Sequence, residues 1–154
     1  MSWETRPSAS VPRGSPEDPI RGTLLRLRHD LVIIGRAAGV LLPETFTSRL
    51  QAPLAQIGKA FADYLRASGA ALQAGQRPPS LDAVESALGA YAAEIEALRS
   101  EGLTRNLPGD AAERFFAIGF ALEQMHNNFK DLERCVAEWA EPVEEAKRNG
   151  NQST

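Results

Sequence analysis

Residues Asp110 to Ala140 read DAAERFFAIGFALEQMHNNFKDLERCVAEWA. Within them Phe115, Ile118, Leu122, Met125, Phe129, Leu132, Val136 and Trp139 recur at alternating spacings of three and four, the period that gathers side chains onto one stripe of an α-helix. A strand would need alternation at every second position, and that pattern is missing. A helix with one apolar stripe cannot bury it alone, so this segment demands partners of the same kind. Pro142 is expected to end or kink it, because proline lacks the N–H the helix ladder needs.

The rest of the chain supplies three such partners. Leu103 to Gly109 connects the segment to a preceding helix capped by Ser80, whose Leu81, Val84, Leu88, Tyr91, Ile95 and Leu98 keep the same spacing. Asp82 and Glu85 sit in its positively polarised first turn, and Gly102 marks its exit. Gly75 to Pro79 is a loop, a glycine for the helix stop and then prolines that cannot continue it. Before the loop, a segment from about Glu44 to Ala74 places Leu50, Leu54, Ile57, Phe61, Tyr64, Ser68 and Ala71 on one stripe, widened by Leu65 and Leu72. Pro53 is expected to kink this helix or split off its first turns. The first helix starts at Asp18-Pro19, an N-cap followed by a proline at the first helical position, and Pro43 stops it. Its expected seam is Ile20, Leu24, Leu27, Leu31, Ile34, Ala38 and Leu41. Together these segments predict an all-α fold, an antiparallel four-helix up-down bundle over residues 20–142. A disordered leader, 1–19, is expected before it, and a polar tail, 143–154, partly helical and then frayed, after it.

Composition agrees with one such domain: 154 residues, a formal net charge of -3, and 43% hydrophobic but only 6% aromatic residues. Alanine is roughly one residue in six, which lets helix axes approach closely. The single cysteine, Cys135, excludes an internal disulfide framework and a multi-thiolate metal site, and suits a reducing compartment. The longest purely apolar runs, such as Leu31-Val32-Ile33-Ile34, are about four residues against the ~20 that cross a bilayer. No apolar stretch of a secretory signal follows Met1, and Val11 to Ser15 reads either as a cleavable linker or as chance.

Few residues invite chemistry. Glu123 and His126 stand three apart on the last helix, the unit from which di-iron carboxylate bundles are built. A second unit is wanting, since the other histidine, His29, follows Arg26 rather than a glutamate by three positions. His29 and Asp30 could form part of a hydrolytic triad, but no serine or cysteine lies in a nucleophile turn, and both are expected to face solvent. Cys135, beside Val136 at the seam edge, is expected to pack rather than react. Gly102, Gly109 and Gly119 are isolated and make no phosphate loop. Neither a catalytic residue, nor a metal, nor a cofactor is therefore expected. Arg21, Arg26, Arg28 and Arg36 make the first helix basic. They are candidates for contact with anionic lipid or with a partner, or else for a solvated, salt-bridged face. The acidic overall balance and the lack of stacking aromatics argue against nucleic acid.

Three stretches carry a family resemblance: Leu27-Arg28-His29-Asp30-Leu31-Val32-Ile33-Ile34-Gly35-Arg36-Ala37-Ala38, Gly102-Leu103-Thr104-Arg105-Asn106-Leu107-Pro108, and Phe116-Ala117-Ile118-Gly119-Phe120-Ala121-Leu122-Glu123-Gln124. They resemble the soluble helical region of bacterial fusaric acid resistance (FUSC) family membrane proteins, over about Leu24 to Ala140. The resemblance implies the cytoplasmic part of an inner-membrane exporter of aromatic acids and similar toxic organic anions, and it brings no active-site residues. It further implies a place at the inner face of the bacterial inner membrane and a membrane-protein partner or self-association. The chain lacks the family's membrane helices, so export cannot be performed by these residues alone. The expected role is non-catalytic: assembly, regulation or partner contact. A stand-alone adaptor that takes a partner helix in a groove, and a metal-dependent bundle enzyme using Glu123, His126 and His29, are the alternatives.

Overall fold

The computed structural model describes residues 17–38 and 42–150, with side chains over 18–36 and 42–140. These residues form an all-α bundle: α1 (Glu17–Ala38), α2 (Glu44–Ala74), α3 (Asp82–Ser100) and α4 (Gly109–Gly150), with one 3₁₀ turn at Leu103–Asn106 between the last two. The expected leader, apart from Glu17 to Pro19, lies outside the described residues, as do Leu41 of the expected first seam and the tip of the tail. No helix among the described residues is long and apolar enough to cross a membrane.

The stripe that predicted α4 is its buried face. Phe115, Ile118, Leu122, Met125, Phe129, Leu132 and Val136 are all buried, and Trp139 is half-buried at the end of the seam. The buried face of α2 is Phe46, Leu50, Ile57, Phe61, Tyr64, Ser68 and Ala71. Phe46 meets Phe115 edge-on with centroids 5.6 Å apart, and Phe61 meets Phe129 likewise at 4.8 Å, so α2 and α4 run alongside each other in the same sense. Such edge-to-face pairs contribute about 1 kcal/mol beyond the area they bury. Cys135 is buried as a small packing residue.

Neither Pro53 nor Pro142 splits or ends its helix. α2 is one helix through Pro53, and α4 continues through Pro142 to Gly150. For Pro53 the reason is visible: Leu50 and Ile57, on either side of it, are both 2% exposed, and their burial outweighs the one lost backbone hydrogen bond. The helix stops behave as read. Gly75 turns into the left-handed region at φ 60°, so that the Gln76 N–H reaches the Ala71 carbonyl at 2.9 Å and closes the end of α2. Gly102, at φ 75°, follows the end of α3; at its start the N-cap is Leu81 rather than the expected Ser80, whose Oγ accepts the Asp82 N–H at 3.1 Å from one residue earlier.

The largest departure concerns α1. Leu24 and Leu31, placed on the inner seam by their spacing, are about half exposed, while Thr23, Leu27 and Asp30 face the bundle. The helix is thus rotated from the expected seam, with Thr23 and Asp30 inside beside Leu27 and with Leu24 and Leu31 outside. The cause is its neighbour: α1 packs mainly along α4, and α4 offers a polar side chain there, the buried Asn128.

Candidate functional site

α1 has two faces of opposite character, and the inner one explains the outer. Arg26 Nε donates to Asn128 Oδ1 at 2.9 Å, while Asn128 Nδ2 donates to Asp30 Oδ2 at 2.6 Å. Arg26 Nη2 donates in turn to Thr23 Oγ1 and to Asp131 Oδ2, each at 3.0 Å. One amide therefore joins a half-exposed guanidinium to a buried carboxylate, and Asp30 needs that donor because an unpaired buried charge is strongly destabilising. This network holds α1 in its rotated position. It also corrects the sequence reading of Asp30, which is 6% exposed rather than solvent-facing.

The rotation turns Leu24, Leu25, Leu31 and Val32 outward, at 48%, 57%, 49% and 45% exposure. Arg21, Arg28 and Arg36 lie exposed among them. No salt bridge joins these three arginines to another described residue. Of the four arginines singled out in the sequence, Arg26, itself half exposed, is thus engaged with Asn128, Thr23 and Asp131, and the other three stay on the outer surface. Beside the start of α1, Ile20, Leu24, Leu25, Leu72 and Trp139 line an apolar groove of about 540 Å³ with Arg21 and Arg28 at its edge. Spacing could not reveal this groove, since its walls come from three helices.

The residues considered for catalysis are not brought together. His29 lines a cleft between α1 and α4 with Asp30, Gln124 and Asn128. Glu123 and His126 line a different one, between α3 and α4, with Tyr91 and Phe115. His126 Nε2 lies 3.1 Å from Glu85 Oε1, and Glu123 is exposed. Burial pushes the Tyr91 hydroxyl up to about 12, so it stays protonated at neutral pH. Among the described residues no three His, Cys, Asp or Glu side chains gather in a way that could hold a metal ion. A second apolar feature missed in the sequence is the pair Phe116 and Phe120 on α4, 62% and 63% exposed and one turn apart. The signal was present, since both lie off the seam. The chain matches no protein-family model, no curated protein and no solved structure.

Proposed function

We propose that this chain is a non-catalytic helical docking domain, of the kind implied by its resemblance to the soluble part of FUSC-type exporters. In that role it joins a membrane-protein partner, or further protomers, at the inner face of the bacterial inner membrane, and it contributes no transport path of its own. One observation carries the reading: α1 keeps its polar Thr23 and Asp30 inside and presents Leu24, Leu25, Leu31 and Val32 outside. Exposed aliphatic side chains aligned along one helix mark a surface that is covered in the working assembly. The adaptor alternative uses the same surface and differs only in what covers it.

A photo-cross-linking amino acid introduced at Leu25 tests this in cells expressing the chain, with Lys59 on α2, whose side chain is 80% exposed, as the control position. The expected result is an adduct, to protein or to phospholipid, from position 25 and none from position 59. If position 25 gives no more adduct than position 59, α1 is an ordinary solvated helix and the docking reading is wrong.

A further inference from the structure

We infer that the outer face of α1 seats on an anionic phospholipid surface, an inference that rests on the docking reading above and names what is docked. Arg21, Leu24, Leu25, Arg28, Leu31, Val32 and Arg36 recur at spacings of one, three and four, which forms a single face about 22 Å long at 1.5 Å per residue. Between Arg21 and Arg36 the one acidic residue is Asp30, and it is turned inward onto Asn128. The face is therefore wholly cationic and aliphatic in a chain whose net charge is -3.

A solvated helix face is built differently, and this protein shows how. On α2, Asp63 lies between Lys59 and Arg66 at 2.6 and 2.8 Å. On α4, Asp131 takes Arg134 at 3.1 Å. Such faces mix the two signs, whereas between Arg21 and Arg36 the outer face of α1 holds no carboxylate, Asp18 lying one turn before Arg21. Long cationic side chains around an aliphatic stripe suit the boundary of a bilayer, where guanidinium groups reach phosphates and the aliphatic chains enter the acyl region. The groove extends the apolar area beyond α1, and Trp139 at its wall is a residue type favoured at the headgroup level. A second copy meeting this face about a two-fold axis would set arginine against arginine. A partner helix would need acids placed in register with the three arginines, while a lipid surface supplies phosphate in any register.

The test is flotation of the full 154-residue chain with phospholipid vesicles. One set contains about one part phosphatidylglycerol to two of phosphatidylcholine, and the other is phosphatidylcholine alone. The protein is expected to float with the anionic vesicles, to stay behind with the neutral ones, and to be released as salt rises. Arg21→Gln and Arg28→Gln should each lower the partition by about fivefold, and Leu25→Gln should lower it as well, whereas Arg66→Gln on α2 should leave it unchanged. All four side chains are exposed, so unchanged circular dichroism and urea midpoints identify the loss as one of binding. Absence of flotation with anionic vesicles, equal flotation with neutral ones, or arginine variants that float like the parent would each overturn the inference. If the lipid inference fails while position 25 still cross-links to protein, the docking reading survives with a protein partner. If position 25 cross-links to nothing, both fail.

Discussion

Asn128 stands between a guanidinium and a carboxylate, and its amide suits both, because Oδ1 accepts from Arg26 while Nδ2 donates to Asp30. No other small side chain offers a donor and an acceptor in that geometry, and a carboxylate at 128 would repel Asp30. Asn128→Ala is expected to destabilise the protein by about 2 to 4 kcal/mol, since it leaves Asp30 buried without its donor. Replacing Asp30 and Asn128 together by leucine removes both polar groups, and the double variant should lie within about 1 kcal/mol of the parent or exceed it. Urea denaturation of the three proteins measures both values. A single variant no less stable than the double one would mean that water satisfies Asp30 and that the network does not hold α1 in place.

At the scale of helices, legibility depended on how many faces of each element are apolar. On α2 the large apolar side chains fall on one stripe, so Leu50, Ile57, Phe61 and Tyr64 could be placed inside by spacing alone, and they are buried. α1 has Leu24, Leu25, Leu27, Leu31, Val32, Ile33 and Ile34, which cover more than one face, so spacing did not single out the inner one. The choice is made by Asn128 and Asp131, about a hundred residues away along the chain, and no local pattern in α1 records them. The outer face is therefore half legible: spacing singles out Arg21, Arg28 and Arg36 as basic but assigns Leu24 and Leu31 to the core. Ends of elements were easier to read, and Gly102 shows why. It adopts φ 75° and nothing lies within 4 Å of where a Cβ would stand, so an alanine there meets a backbone penalty and no crowding. Gly102→Ala should lower stability by about 1 kcal/mol, and Gly102→Asn by less. A loss above about 3 kcal/mol in urea would show that the exit of α3 depends on a contact rather than on a dihedral angle.

The whole molecule joins two kinds of interface. α2, α3 and α4 share an aromatic and aliphatic core around Phe129, Met125 and Leu98, each 0% exposed, and Arg49 of α2 adds ion pairs to Glu94 of α3 and to Glu101 just beyond it. The buried residues described on α1 are only Thr23, Leu27 and Asp30, and its main neighbour is α4. Apolar burial supplies most of the resistance to opening, and a polar joint contributes less. α1 should accordingly open without the rest. Native-state hydrogen exchange at low urea is expected to give its slowest amides an opening free energy at least about 2 kcal/mol below that of the slowest amides in α2 and α4. Asn128→Ala should widen that gap, and occupation of the outer face by whatever covers it should narrow the gap by protecting α1 selectively. If the slowest amides of α1 share the global value, the bundle opens as one unit and the outer leucines belong to a helix as firmly held as the core.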